Sequence, residues 1–173
     1  MVHPILVYMT TNTSTPTTMA DTEQQQTPQQ GQGQQQQGLP DEAIALASRL
    51  YNGARTGDLA LFQQALPAGI PANMANEKGD SLLMLAAYYG HADLVRLLLH
   101  HGADPNRLND KGQSPLAGAV FKAEDAVVEA LLEGGADPEF GSPTPLETII
   151  MFRQEDKWRA AFEAAPGRGK AGH

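Results

Sequence analysis

One spacing governs what this chain can fold into: a self-match at an offset of 33 residues. Gly79-Asp80-Ser81-Leu82-Leu83-Met84-Leu85-Ala86 lies over Gly112-Gln113-Ser114-Pro115-Leu116-Ala117-Gly118-Ala119. Gly102-Ala103-Asp104-Pro105 lies over Gly135-Ala136-Asp137-Pro138, Leu94-Val95 over Val127-Val128, and Leu98-Leu99 over Leu131-Leu132. The segments ahead of each copy read Asn76-Glu77-Lys78-Gly79 and Asn109-Asp110-Lys111-Gly112. A weaker copy precedes them, with Leu50 under Leu83, Gly57 under Gly90, Leu61-Phe62 under Leu94-Val95 and Gly69 under Gly102. Thr144-Pro145-Leu146 answers Ser114-Pro115-Leu116 at an offset of 30, so the third loop is three residues shorter, and Ile149-Ile150, Trp158 and Phe162 supply a fourth apolar face. A repeat of this length means units that bury their faces only by stacking.

Each unit has a physical reading. Ser or Thr before Pro-Leu starts a helix, because the hydroxyl accepts from a free N–H and Pro suits the first helical position. Ala86 and Ala119 let helices approach closely. Gly90 allows a sharp turn between two short helices. Leu94, Val95, Leu98 and Leu99 form one buried stripe on the second helix. Gly102 and Gly135 stand where a left-handed helix cap belongs. The Asn-x-Lys-Gly turn then leads into the next unit. Helices are therefore expected over Leu82–Tyr89 and Leu94–His100. Arg49, Asn52, Gln63 and Gln64 suit the exposed side of the first unit, and Lys157, Arg159 and Glu163 that of the last.

A helix–turn–helix unit of this length, with its Ser-Pro-Leu start and Gly-Ala-Asp-Pro-Asn loop, resembles the ankyrin repeat. Gly90-His91, Leu94-Val95 and Leu97-Leu98-Leu99-His100-His101-Gly102-Ala103-Asp104 carry the likeness most specifically. The resemblance covers roughly residues 41–165. It implies an all-α ankyrin-repeat solenoid of about four helix–turn–helix units joined by hairpin loops, at about 46–78, 79–111, 112–141 and 142–165. Where the family has Thr-Pro-Leu-His, the His position holds Tyr51, Met84, Ala117 and Glu147, so the imidazole links between units are missing there. His91 matches the family's structural histidine at the start of the second helix.

The resemblance also implies a protein–protein interaction module, adaptor or scaffold, that binds through hairpin tips and the concave face of the first helices. Carried over position by position, the tips are Glu77, Lys78, Asp80, Leu108, Asp110, Lys111 and Gln113. The first-helix positions are Arg55, Thr56, Tyr88, Tyr89, Phe121, Lys122, Met151 and Phe152. The partner-binding set expected from these is Lys78, Asp80, Tyr88, Tyr89, Lys111, Gln113, Phe121, Lys122, Met151 and Phe152. Large aromatic groups at accessible positions are what binding hot spots are made of. Some of these rings are expected to pack under the neighbouring hairpin instead.

The flanks read differently. From Thr10 to Thr18 the chain is rich in Thr, Ser and Pro, and from Gln24 to Gln37 it holds ten glutamines. Such a segment has almost nothing apolar to offset its ordering entropy, so residues 1–40 are expected to be a disordered tail. Met19, which opens Met-Ala-Asp-Thr-Glu, is a candidate alternative start beside Met1. The apolar opening Met1–Met9 lacks the basic residues and cleavage site of a signal peptide. Residues 167–173 read as a flexible C-terminal tail beyond the helix stop at Pro166.

Composition narrows the function classes. The formal net charge is −8, and all twelve Lys and Arg residues lie at or after Arg49. That balance argues against a phosphate-gripping nucleic-acid binder and against a polybasic membrane anchor. The acidic surplus keeps a second class open, a small acidic regulator or assembly chaperone that masks a basic client protein. There is no cysteine, hence no disulfide, thiolate zinc site or thiol nucleophile. The expected setting is cytoplasmic or nuclear, and the expected state is a monomer with no cofactor. His100-His101 are neighbours on a helix and do not share a face, so no metal is expected there. Glu124-Asp125 and Glu155-Asp156 fall at helix starts, where they complement the dipole. Phosphate-loop, dinucleotide and Gly-x-Ser-x-Gly motifs are absent, so no enzyme is expected.

Overall fold

The computed structural model describes residues 40–172. The expected disordered tail, apart from Pro40, and the possible start at Met19 lie outside the described residues. By backbone packing the chain divides into Met1–Leu46 and Ala47–His173. The described part of the first unit is only Pro40 and the opening of a helix.

The described residues form eight helices: α1 Asp41–Thr56, α2 Leu59–Ala65, α3 Leu82–Tyr88, α4 Ala92–His100, α5 Pro115–Lys122, α6 Asp125–Glu133, α7 Pro145–Met151 and α8 Glu155–Glu163. No strand occurs among them; a single antiparallel bridge joins Ala75 to Ser81. The helices begin where the hydroxyl residues predict. Ser81 accepts from Met84 N at 3.0 Å, Ser114 from Ala117 N at 3.2 Å, and Thr144 forms a reciprocal capping box with Glu147. Pro115 and Pro145 occupy first-turn positions, where their missing N–H costs nothing.

Packing follows the repeat. The first helices α3, α5 and α7 stack in a row, and the second helices α2, α4 and α6 stack beside them. Leu82 to Ala87 are all buried in α3, because that helix is covered by its own partner and by the next unit. The amphipathic α4 buries Leu94, Val95 and Leu98. Leu99, expected in the same stripe, is only half-buried and lies against Gly134 of the following unit. Arg49, Asn52, Gln63 and Gln64 in the first unit, and Lys157, Arg159 and Glu163 in the last, are exposed as expected.

The turn between paired helices demands a left-handed residue in every unit. Gly57 and Gly90 supply it at φ +74° and +82°, but Ala123 and Arg153 hold φ 58° and 54° at the equivalent places. An L side chain in that region costs roughly 1–2 kcal/mol. Ala123 is exposed, so its methyl contributes no packing in return. Ala123→Gly is therefore expected to stabilise the fold by about 0.5–1 kcal/mol after the added freedom of the unfolded chain is discounted. A shift of the urea midpoint upward at unchanged slope is the readout, and a downward shift would contradict it.

The units are tied mainly by side chains outside the Thr-Pro-Leu-His positions. Asn73 donates to Gly102 O at 3.0 Å and accepts from Asp104 N at 2.7 Å. Asn106, one repeat later, donates to Gly135 O at 3.3 Å and accepts from Asp137 N at 2.7 Å. His91 Nε2 donates to Arg55 O at 2.8 Å, and Gln154 Nε2 donates to Val120 O at 3.0 Å. Even Tyr51, which replaces one family histidine, links onward by donating its hydroxyl to Ala75 O at 2.5 Å.

The C-terminal residues expected as a flexible tail make contacts with the third unit. Gly167 lies so close to the third unit that a Cβ there would sit 2.2 Å from Gly135 O. Arg168 pairs with Glu139 at 2.8 Å, and Ala171 N donates to Asp137 Oδ2 at 3.0 Å. Asp137 is buried, which by itself raises a carboxyl's pKa; N–H donors from Ala171, Glu139, Gly169 and Lys170 outweigh this and hold it below its usual 3.8. A depressed carboxyl contributes stability above its unfolded pKa and loses it as pH falls through the folded one. The stability gap between the native chain and Asp137→Asn is thus expected to be largest near neutrality and to close below about pH 4. A gap that widens in acid would contradict the assignment.

Candidate partner-binding groove

The hairpin tips form one wall of a groove. Each tip is shaped by its asparagine: Asn76 Oδ1 accepts from Lys78 N at 2.9 Å and Asp80 N at 3.0 Å. Asn109 Oδ1 does the same for Lys111 N and Gln113 N, both at 3.0 Å. Consecutive tips are then locked together, with Asp110 N donating to Lys78 O at 3.1 Å and Asn109 Nδ2 to Asp80 Oδ1 at 3.0 Å. Lys78 and Lys111 are thereby held on successive tips by backbone bonds, and both are exposed.

The floor comes from the C-terminal ends of α3, α5 and α7. Tyr88, Tyr89, Phe121, Met151 and Phe152 are 38%, 48%, 50%, 65% and 43% exposed, so none is packed away under a hairpin. The rings form one continuous row. Tyr89 meets Tyr88 edge-on at 5.5 Å, Tyr88 stacks on Phe121 at 6.3 Å, and Phe121 meets Phe152 edge-on at 5.2 Å. Such contacts hold each ring in place before anything binds, which lowers the ordering cost of a later contact.

Of the residues expected from the sequence, Lys78, Asp80, Tyr88, Tyr89, Lys111, Gln113, Phe121, Met151 and Phe152 line a single open groove of ≈ 860 Å³. Glu77, Asp110 and Arg55 line it too. Lys122 stands just beyond the lining, with Nζ 5.2 Å from the centre of the Tyr88 ring. Leu108 and Thr56 are not among the lining residues; Leu108 instead lies against Gly141. Met84, Pro143 and Thr148 contribute wall that the sequence reading passed over. Thr148 and Met84 sit on the same helices as the rings, and helical spacing from Met151 and Tyr88 is the signal that would have found them.

The charges are unevenly distributed. Arg96, Lys157, Arg159 and Arg168 are all ion-paired, and none lines the groove. Among the described residues, Arg55, Lys78, Lys111 and Lys122 at the groove form no ion pair, and neither do Arg49, Arg107, Arg153 and Lys170 elsewhere. Asp80 is occupied on both oxygens by Asn76 and Asn109. Among the described residues no three acidic or histidine side chains converge as a metal site would need. His100 and His101 contact each other edge-on at 5.6 Å.

Comparison with known proteins agrees with this architecture. A family model described as ankyrin repeats, in three copies, matches residues 50–141. A curated ankyrin repeat protein of Pseudomonas aeruginosa is 55% identical over 49 residues, which are 28% of this chain and 29% of that protein. The alignment thus spans less than a third of either chain.

Proposed function

Because the chain belongs to the ankyrin-repeat family, we propose that it is a non-enzymatic adaptor that seats a partner protein in the groove between hairpin tips and first helices. Proteins of this family are in general interaction modules, and fold alone does not assign a role. The observation that carries the reading is the row of four exposed, mutually braced rings reaching from Tyr89 to Phe152. Contiguous exposed apolar surface rimmed by polar groups marks an interaction site. The groove is open along one side and its tips carry ionisable groups, which suits a polypeptide better than a small reactant that must be enclosed. No helix among the described residues is long and apolar enough to cross a membrane.

The test uses the full chain and a folded Tyr89→Ala/Phe121→Ala variant as parallel affinity baits. The reading requires a protein captured by the native chain and lost from the variant. Identical captured sets from the two baits would remove the groove as the binding site. The acidic-client reading, a regulator masking a basic surface, would then lead, resting on the chain's net charge of −8.

A further inference from the structure

We infer that the groove selects an acidic amphipathic segment of its partner, one whose apolar side chains cover the ring row while its carboxylates meet Lys78, Lys111, Lys122 and Arg55. This rests on the groove being the binding site. The whole chain is acidic, at −8, and net charge alone would select a basic partner. The groove does not share that surplus: its lining is balanced, and Lys122 beside it adds one positive charge. Its lining contains Arg55, Lys78 and Lys111, with Lys122 beside Tyr88, against the three carboxylates Glu77, Asp80 and Asp110. The carboxylates are also less available than the cations. Both Asp80 oxygens already accept asparagine amides. Asp110 is turned toward the neighbouring tip, where a Cβ on Gly79 would lie 2.6 Å from its Oδ1.

The cations keep their capacity for a ligand. On the other faces Arg96, Lys157, Arg159 and Arg168 are paired with carboxylates within 4.0 Å, whereas Arg49, Arg107, Arg153 and Lys170 are not. The cations at the groove likewise have no such partner among the described residues. Lys122 lies against the Tyr88 ring, so its ammonium stands over the aromatic row itself. Screening confines each charge's reach to about 8 Å at physiological salt. The lip cations therefore govern a segment lying in the groove, and the distant acidic surface governs only its approach.

Two synthetic amphipathic peptides test this on the full chain. One has Leu and Phe at helical spacing with Glu at its polar positions; its twin has Lys for every Glu. Binding is measured by titration, and its place is mapped by amide chemical shifts. The expected result is that the Glu peptide binds at the ring row about tenfold or more tightly than the twin, against the sign of the net charge. Lys78→Glu with Lys111→Glu, both exposed, should reverse the preference while thermal unfolding stays unchanged. A Lys peptide that binds the ring row as well as or better than the Glu peptide overturns the charge inference and leaves the groove as the site. Shifts confined to another surface, or none with either peptide, overturn both.

Discussion

Leu98→Ala should cost the domain about 2–5 kcal/mol, and Leu131→Ala should cost as much. Both side chains are 0% exposed and occupy equivalent places one repeat apart, on the stacked helices α4 and α6. Removing three carbons from such a site loses their transfer free energy and leaves a void, because a core at crystalline packing density cannot relax to fill it. Native stability is only about 5–15 kcal/mol in total, so either change removes a large share. Leu97, half-buried on the same helix, provides the comparison; Leu97→Ala should cost distinctly less. Urea denaturation measures all three. A cost below about 1 kcal/mol at Leu98, or equal costs at Leu97 and Leu98, would mean the stacking face of α4 lies elsewhere.

Tyr89→Ala combined with Phe121→Ala should weaken partner binding by roughly thirtyfold or more, the loss typical of a truncated hot spot. The two rings are 48% and 50% exposed, and each braces Tyr88 from a different side. Their removal takes away contact area and also the neighbours that pre-set Tyr88. Because half of each ring already faces water, the unfolding midpoint should move far less than in Leu98→Ala. Lys78→Ala with Lys111→Ala should act mildly by comparison, mainly on the association rate, and less at high salt. If the aromatic variant is folded and binds as before, the rings are bystanders.

Much of the architecture was legible because stacking forces each unit to repeat its solution. Ser81, Ser114 and Thr144 cap helices for one reason, and Leu98 and Leu131 fill equivalent holes. The ring row was legible too, since Tyr88 and Phe121 are one repeat apart and neither position belongs to the buried stripe. Other features left no such signature. Ala123 and Arg153 adopt the left-handed turn without glycine, because the chain's course between α5 and α6, and between α7 and α8, dictates φ whatever the side chain. The C-terminal segment reads as loose from its Gly, Arg and Lys, yet Asp137 holds it through backbone N–H groups that every residue but proline possesses. Asn73 and Asn106 were visible in the offset, but their role as ties needs the neighbouring Gly102 and Gly135 carbonyls to be placed first. The groove's occupant is not written in the rings at all, since an aromatic row accepts many apolar side chains.

The asparagine ties stop one unit short. At the place where the next tie would fall stands Glu139, whose carboxylate cannot donate to a carbonyl and pairs with Arg168 instead. The last unit is held by Gln154, by the Lys157–Asp125 ion pair and by the strap from Gly167 to Ala171. Cooperativity in a stacked chain passes only from neighbour to neighbour, so the boundary after the third unit is one place where it can break. In hydrogen-exchange terms α7 and α8 are expected to open together as one foldon, below the global free energy. Phe152 and Met151 belong to that foldon, whereas Tyr88, Tyr89 and Phe121 do not. A ligand spanning the ring row would cross that boundary, and its grip on the last two side chains would be set by how often the fourth unit is closed.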